Sequence, residues 1–252
     1  MKNKNIIITG SEGLIGKSLS EYFKKAKANI FRIDINKRSG KNFYKCDVTN
    51  ETQVKNCINK IAKKNKIDVL INCATFSKHS FSKKSKKFKF SNYSLKQWKQ
   101  NLEVDLIGSF LVSKYVCKQF EKNNMGNIIN ISSIYALNGP DQDIYVRNKI
   151  KKFYGFKPIE YSIAKAGIIG FTKALASFYK RTNIRVNCVS LGGIETKNHS
   201  KAFINNYNSK TILNRMAKSE EYNELISFLS SEKSKYITGS CIVADGGATS
   251  II

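Results

Sequence analysis

Apolar residues along the chain fall into short continuous runs separated by longer stretches of helical periodicity. In "NIIIT" and "DVLINCA" most positions are apolar, which indicates strands that are buried on both faces. The predicted strands are 4–9, 28–34, 42–48, 67–74, 126–133, 184–190 and 240–245.

Helical patterns occupy the segments between these strands. The predicted helices are one that follows the first glycine turn and ends near 26, then 52–64, 95–120, 159–179 and short helices within 199–230. In the first helix, the residues predicted to face the core are Leu14, Ile15, Leu19, Tyr22 and Phe23. Strands and helices alternate without a repeat or a linker, so we expect one α/β domain, 1–252, whose parallel sheet carries helices on both faces.

Two segments, 76–94 and 138–160, interrupt this alternation. Each follows the carboxyl end of a predicted strand, and ligands of open α/β sheets bind beyond those ends. We therefore expect both insertions to border the substrate crevice.

The chain of 252 residues carries a formal net charge of +26, almost all of it from lysine. A basic surface can bind nucleic acid, anionic membranes or acidic substrates. The lysines are spread over the whole sequence and are not gathered in one tail or helix, which favours a compositional bias over a nucleic-acid surface. Because the lysines are dispersed in this way, we do not expect nucleic acid to be a partner.

Six cysteines are scattered without a CxxC motif or a Cys/His cluster. This pattern predicts reduced thiols and no metal site or disulfide framework, as expected for a cytoplasmic protein. The N-terminus has no signal-peptide pattern, and no apolar run approaches the length of a membrane span, so no membrane partner is expected. His79 and His199 are isolated, and we assign them no role.

The segment "TGSEGLIG" places Gly10, Gly13 and Gly16 between the first strand and the first helix. Glycines let the backbone turn tightly and approach a pyrophosphate, which the free N–H groups of the helix N-terminus would bind. A plain tight turn is the alternative interpretation. Ser11 and Ile15 belong to the same turn and complete the predicted phosphate-binding segment.

Polar residues at the ends of the next strands extend this predicted cofactor site. Asp34 ends the second strand, where its carboxylate can bind the adenosine ribose and repel a 2′-phosphate. NAD(H) is therefore favoured over NADP(H), although Lys37 and Arg38 could soften the preference. Further contacts are predicted for Asp47, which could bind the adenine amino group, and for Val48, Asn72 and Ala74.

Three residues could catalyse hydride transfer at a secondary alcohol or ketone. Tyr161 and Lys165 lie four residues apart on a predicted helix and share a face. A tyrosine is a weak base at neutral pH unless neighbouring positive charge favours its phenolate. Ser133, at a strand end, can donate to the oxygen where charge develops. The alternative is an amphipathic helical pair and an ordinary strand end.

These segments, taken together, resemble the short-chain dehydrogenases/reductases. The matching motifs are "TGSEGLIG", "CDVT", "NCA", "NISS", "YSIAK", "IRVNCVSLGG" and "DGG". The resemblance implies a Rossmann-type doubly wound sheet of seven strands, often a tetramer. It implies Ser133, Tyr161 and Lys165 as the catalytic serine, tyrosine and lysine, and it places Ile194 and Thr196 near the nicotinamide carboxamide.

The chain departs from the family pattern at several positions. The glycine spacing is that of the extended branch, and Leu191-Gly192 replaces a proline-glycine pair. Asp105 stands where the family usually has an asparagine that holds a water for proton relay. An aspartate can also hold a water, but it adds negative charge near Lys165, so we expect a relay with a shifted pH optimum.

The substrate prediction rests on the insertions. The 138–160 segment and the "PIEY" entry to the helix resemble flagellin-modification-type oxidoreductases of sialic-acid-like sugar pathways. A basic rim would attract an anionic sugar; its residues are Arg147, Lys149, Lys151, Lys152, Lys83, Lys84, Lys86, Lys87 and Lys89. Solvated lysines are the alternative interpretation.

Two other functions fit the sequence, namely a 3-oxoacyl reductase of fatty-acid type and a non-catalytic dinucleotide-binding protein. A homodimer or homotetramer is expected.

Overall fold

Parallel strands form the centre of the protein. The computed structural model describes residues 1–36, 40–76, 90–147, 152–153 and 157–250. Its strands are β1 (Asn5–Thr9), β2 (Asn29–Asp34), β3 (Phe43–Lys45), β4 (Val69–Asn72), β5 (Met125–Ser133), β6 (Val146–Arg147), β7 (Lys152–Phe153), β8 (Asn183–Leu191) and β9 (Cys241–Ala244). The predicted strands are confirmed, with ends that differ by a few residues.

Seven of these strands form one sheet in the order β3-β2-β1-β4-β5-β8-β9, and every pair is parallel. The strand order reverses between β1 and β4, so the carboxyl ends of these two strands border the crevice where open sheets bind ligands. The longest pairing joins β5 to β8, from Met125↔Asn183 to Ser133↔Leu191. This is the expected Rossmann-type doubly wound sheet.

The helices are α1 (Leu14–Lys25), α2 (Glu51–Ala62), α3 (Leu95–Leu102), α4 (Gly108–Asn123), α5 (Ile159–Phe178), α6 (Lys201–Asn208) and α7 (Asn223–Leu229). The prediction of one continuous helix over 95–120 is wrong, because the structure divides this segment into two α-helices. A π-helical turn, Glu103–Ile107, separates α3 from α4. Such turns are rare and concentrate at functional sites, and this one carries Asp105.

Apolar clusters cover both faces of the sheet. On β1, Ile7 belongs to one cluster with Phe120, while Ile6 and Ile8 belong to another with Phe23. Successive strand residues point to opposite faces, so this division shows that helices cover both sides. Leu14 contradicts the prediction for α1, because it is 58% exposed. It is the first residue of the helix.

The described part of the 138–160 insertion packs against α6. The rings of Tyr145 and Phe203 lie 5.4 Å apart, and Lys210 Nζ lies 2.9 Å from a carboxylate oxygen of Asp141. The Asn206 amide also donates to the Ile144 carbonyl at 3.3 Å. Beyond these contacts, β6 and β7 pair as a short antiparallel ribbon. The insertion is thus anchored to the segment that follows β8.

Two further properties of the described residues bear on the sequence predictions. None of their helices combines the length and apolar character that a membrane crossing requires. All six cysteines are free, and five of them are buried.

Candidate active site

The glycine turn after β1 has no space for side chains. Gly10 has a φ of 63°, and a Cβ there would lie 2.7 Å from the Ala74 Cα. A Cβ on Gly16 would overlap the carbonyl oxygen of Gly10 and lie 2.8 Å from the Ser11 Cα. Thr9 Oγ1 accepts hydrogen bonds from the N–H groups of Cys73 and Ala74, both at 3.1 Å. The turn is therefore held against the end of β4.

The start of α1 is suited to bind an anion. Gly13 is its N-cap residue and supplies no side-chain hydrogen bond, and the first turn holds no acidic residue. Helix N-terminal N–H groups without such caps attract phosphate. Ser11 Oγ is buried and has no hydrogen-bond partner, so a ligand oxygen would satisfy it. Ile15 is half-buried in the same turn. These residues fit the pyrophosphate of a dinucleotide.

Two carboxylates lie at the end of β2. Asp34 is buried, and its two oxygens accept from the N–H groups of Glu12 and Asn36, each at 2.9 Å. Glu12 belongs to the glycine turn, and its carboxylate lies 3.9 Å from the Arg32 guanidinium. The prediction for Asp34 did not include Glu12, although its position within "TGSEGLIG" was a usable signal. The buried Asp34 carboxylate is thus bonded to the glycine turn, and its contact with a ribose stays a prediction.

Asp47 and Val48 follow β3 after a short gap. Asp47 Oδ1 accepts from the N–H and the hydroxyl of Thr49, at 2.9 and 2.8 Å. Val48 is buried and would contact a Cβ at Gly108. Both residues thus form a rigid turn at the expected edge of the sheet, and their contact with adenine stays a prediction.

Asn72 lies in a buried polar network at the end of β4. Its amide donates to Ser113 Oγ at 3.0 Å and to Asn130 Oδ1 at 2.9 Å. The side chain therefore joins β4 to α4 and β5. Its predicted role in cofactor binding stays a prediction.

Lys165 is held rigidly beside Tyr161. Its Nζ donates to the Ile131 carbonyl at 3.2 Å and lies 3.2 Å from Asp105 Oδ2. The same Nζ lies 5.7 Å from the centroid of the Tyr161 ring. Burial by itself would lower the pKa of Lys165, but the negative charge of Asp105 and the Tyr161 phenol raise it above its ordinary value. The ammonium form is thus the stable one.

Ser133 ends β5 and begins the 3-10 turn Ile134–Ala136. Its Oγ accepts from the Tyr135 N–H at 3.2 Å, so its own hydroxyl hydrogen remains available for donation. The neighbouring Ser132 hydroxyl donates to the Lys165 carbonyl at 2.9 Å. The end of β5 is thereby fixed against α5, the helix that carries Tyr161 and Lys165.

Ile194 and Thr196 follow β8. Ile194 pairs with Ala217 in an isolated parallel bridge. The Thr196 N–H donates to His199 Nδ1 at 3.3 Å, so His199 stabilises this turn. Burial lowers the pKa of His199. A contact between these residues and a nicotinamide stays a prediction.

Both insertions reach the start of α5. Tyr93 lies near the end of the first insertion, and its hydroxyl hydrogen-bonds to Glu160 and accepts from the Ile159 N–H at 3.0 Å. The buried Glu160 carboxylate also accepts from the Asn101 amide at 2.9 Å. On the other side, Gln142 forms two hydrogen bonds with the backbone of Lys157, at 3.0 and 3.3 Å. These contacts fix the helix end that presents Tyr161.

Part of the predicted basic rim lies outside the described residues. These positions are Lys83, Lys84, Lys86, Lys87, Lys89, Lys149 and Lys151. Three further residues of the sequence analysis, Lys37, Arg38 and His79, also lie outside the described residues. The side chains of Arg147 and Lys152 are also outside the described set.

Comparison with known proteins identifies this arrangement. A family model described as enoyl-(acyl carrier protein) reductase matches residues 13–249. The 3-oxoacyl-[acyl-carrier-protein] reductase FabG of Thermotoga maritima is 31% identical over 98% of both chains. The chain belongs to the short-chain dehydrogenase/reductase family. It is therefore an NAD(P)-dependent oxidoreductase that acts on CH–OH groups, as the motifs indicated.

Two other members of the short-chain dehydrogenase/reductase family are similar over nearly the whole chain. Post-translational flagellin modification protein A of Campylobacter coli is 30% identical over 98% of both chains. The crystal structure of a Leptospira borgpetersenii short-chain dehydrogenase with bound NAD+ matches with a TM-score of 0.87 and 33% identity. It covers 99% of this chain and 94% of that one.

Asp105 adds negative charge beside Lys165, as its position in the sequence predicts. Its Oδ2 accepts from the Thr75 hydroxyl at 2.7 Å and contacts Lys165, and its Oδ1 accepts from the Phe76 N–H at 2.7 Å. Asp105 is therefore a direct ion-pair partner of Lys165, and its role in a proton relay stays a prediction.

A cavity of about 890 Å³ lies at the opposite edge of the sheet. Residues near the amino ends of three strands line it, including Asp68, Asn127 and Arg185. Ligands of parallel α/β sheets bind at the carboxyl ends, and Ser133 and Tyr161 lie there. This short-chain dehydrogenase/reductase therefore has its candidate active site elsewhere.

Proposed function

We propose that Ser133, Tyr161 and Lys165 catalyse the interconversion of a secondary alcohol and a ketone. The observation that carries the proposal is the buried Lys165, held by Ile131 and Asp105 beside Tyr161. A bound nicotinamide would carry the hydride. The glycine turn at Gly10 and Gly16, with the orphaned Ser11 hydroxyl, would hold its pyrophosphate.

Each side chain has a defined task in this proposal. Tyr161 transfers the hydroxyl proton, and the fixed positive charge of Lys165 favours its phenolate when an alcohol is oxidised. Ser133 donates a hydrogen bond to the substrate oxygen, because its own Oγ already accepts from Tyr135. Asp105 keeps Lys165 in place.

We also propose that NAD(H) is preferred over NADP(H). The buried Asp34 carboxylate lies at the end of β2, where the adenosine ribose is expected, and the Glu12 carboxylate lies 3.9 Å from Arg32 of the same strand. The dianionic 2′-phosphate of NADP(H) would be repelled there, whereas ribose hydroxyls could donate to a carboxylate. Arg32 offsets part of the charge of Glu12 but not that of the buried Asp34.

Replacement of Asp34 tests this preference. We expect Asp34→Ala to lower the ratio of the NADPH Kd to the NADH Kd by about tenfold or more, the effect of one lost charged interaction. Fluorescence titration of the two cofactors measures both constants. Asp34→Asn separates charge from hydrogen bonding, and the exposed Asp143→Ala is the control. Tighter binding of NADPH by the wild type would contradict the proposal.

The substrate we propose is a sugar-derived alcohol or ketone of surface-glycan biosynthesis, with an anionic group. The similarity to flagellin modification protein A supports this substrate class. Three further tyrosines interact with Tyr161, and their hydroxyls suit a polyol; they are Tyr135, Tyr145 and Tyr207. The 3-oxoacyl reductase relatives favour a second candidate, a 3-oxoacyl thioester. Turnover rates measured with sugar phosphates, with nucleotide sugars and with a 3-oxoacyl thioester distinguish the two candidates.

The free thiols support a cytoplasmic location.

Exposed apolar side chains on α4, on α5 and at the end of the π-helical turn before α4 support a homo-oligomer. Ile107, Phe110, Ile163 and Phe178 are exposed, and Phe178 reaches 76%. Phe110 contacts Phe171 of α5 at a centroid distance of 6.3 Å, so the two helices present one surface. Apolar patches of this kind usually mark interfaces.

A charge in this surface should dissociate the oligomer. We expect Phe110→Glu to lower the molar mass measured by light scattering, because the charge would have to be buried at the interface. Lys122→Glu, also on α4, is the charge-changing control and should keep the wild-type mass. The same mass for wild type and Phe110→Glu would remove this surface from consideration.

A further inference from the structure

A second lysine lies closer to Tyr161 than Lys165 does. The Nζ of Lys157 is 3.7 Å from the centroid of the Tyr161 ring, compared with 5.7 Å for Lys165. Lys157 also lies 5.6 Å from the centroid of the Tyr135 ring. Among the described residues no carboxylate forms a direct ion pair with Lys157, and its nearest described contacts are these two aromatic rings.

The position of Lys157 is set by the backbone. Gln142 binds both its N–H and its carbonyl, at 3.0 and 3.3 Å. Pro158 follows directly and accepts the Tyr161 N–H at 3.2 Å, which begins the turn of α5. Burial lowers the pKa of Lys157, and the positive charge of Lys165 adds to that, while Tyr161 and Asp105 act in the opposite direction. Lys157, Tyr161, Lys165 and Asp105 thus form one electrostatic group.

Lys165 alone is a weakened source of positive charge. Its Nζ forms a buried ion pair with Asp105 at 3.2 Å, so the negative charge of Asp105 offsets part of the positive charge that acts on Tyr161. Lys157 has no such partner among the described side chains, and it faces the ring directly. The attraction between an ammonium and an aromatic ring grows when the ring carries the charge of a phenolate.

The neighbouring tyrosines and Cys73 stay neutral in the pH range of interest. Burial raises the pKa of Tyr145 to about 12 and that of Tyr135 further, and it also raises the pKa of Tyr207. Burial raises the pKa of Cys73, near Lys165, to about 12. The carboxylate of Glu160 is bonded to Tyr93 and Asn101.

From this geometry we infer that Lys157 is a second positioning charge that acts with Lys165 to favour the phenolate of Tyr161, and that it compensates for the part of the Lys165 charge that Asp105 offsets. The inference rests on the proposed role of Tyr161 as the acid/base. It assigns a function to the end of the 138–160 insertion, which delivers Lys157 to the active site. Lys157 acts through Tyr161 and takes no part in proton transfer itself.

A double-mutant cycle with Asp105 tests the compensation. NMR of protein labelled with ¹³C at tyrosine Cζ follows the ionisation of Tyr161, whose signal is assigned by its loss in Tyr161→Phe. We expect Lys157→Gln to move the titration midpoint of Tyr161 up by about 1 pH unit or more, because a nearby positive charge is lost. Asp105→Asn should move the midpoint down, because it removes the negative charge that opposes the effect of Lys165 on Tyr161.

The double variant Lys157→Gln/Asp105→Asn should return near the wild-type midpoint. Lys157→Arg keeps the charge and should titrate like the wild type, whereas Lys157→Met should match Lys157→Gln. In alcohol oxidation, kcat/KM rises with pH as Tyr161 loses its proton. In each variant, the pH at which kcat/KM rises should shift in the same direction as the titration midpoint of Tyr161. An unchanged midpoint in Lys157→Gln would overturn the inference. Full turnover by Tyr161→Phe would instead refute the proposed function, so the two failures are distinguishable.

Discussion

Tyr161→Phe should lower kcat/KM by about 10²- to 10⁴-fold, the usual contribution of a positioned acid/base. The substitution removes one oxygen and leaves the ring, so the packing of Lys157 and the helix start should persist. The Kd for NADH should stay close to that of the wild type. Steady-state kinetics with the substrate found by screening, together with a cofactor titration, measure both quantities.

A matched tyrosine elsewhere controls for the loss of a hydroxyl. Tyr236 is fully exposed and lies in the loop before β9. Tyr236→Phe should therefore leave kcat/KM unchanged. Equal activity of Tyr161→Phe and Tyr236→Phe would show that another group transfers the proton.

Gly16→Ala should abolish tight dinucleotide binding and lower the stability of the fold. Its Cβ would overlap the backbone carbonyl of Gly10, which cannot rotate away as a side chain could. Alanine in a helix gains about 1 kcal/mol over glycine, but overpacking of this kind costs about 1–3 kcal/mol or more, so the net effect is destabilising. We expect the NADH Kd to rise by more than about tenfold, since the glycine turn must shift.

Gly139→Ala is the matched control for this substitution. A Cβ at Gly139 meets nothing within 4 Å, and the residue lies on the exposed part of the insertion. NADH titration and thermal unfolding should give wild-type values for this variant. If Gly16→Ala also bound NADH normally, the glycine turn would be structural only.

Together these experiments examine the two halves of the site separately. Gly16 and Asp34 belong to the cofactor half, at the ends of β1 and β2. Tyr161 and Lys157 belong to the catalytic half, at the start of α5. A variant that loses turnover but binds NADH normally is therefore defective in the catalytic half. A variant that loses NADH binding is defective in the cofactor half.

The order of strands and helices could be read from the sequence because burial on both faces leaves continuous apolar runs. All seven strands of the sheet are predicted by these runs. The end of β5, which carries Ser133, is bonded to Lys165 through Ile131 and Ser132, and the catalytic role of Ser133, Tyr161 and Lys165 stays a proposal. Local spacing was sufficient to place Tyr161 beside Lys165, since the two share one helix. Helix ends and the exposed Leu14 were less well predicted, because periodicity does not show at which residue a helix begins.

Only the tertiary structure decided how charges are paired. Asp105 comes from a π-helical turn, and its contact with Lys165 depends on how that turn packs against α5. Glu12 lies near Arg32 because β1 and β2 are neighbours in the sheet. Lys157 stands four residues before Tyr161 in the sequence, but the bonds with Gln142 are what hold its segment beside the ring. The sequence by itself thus determined the fold and the types of reacting groups. The electrostatic balance among those groups arises from long-range contacts, which no local pattern encodes.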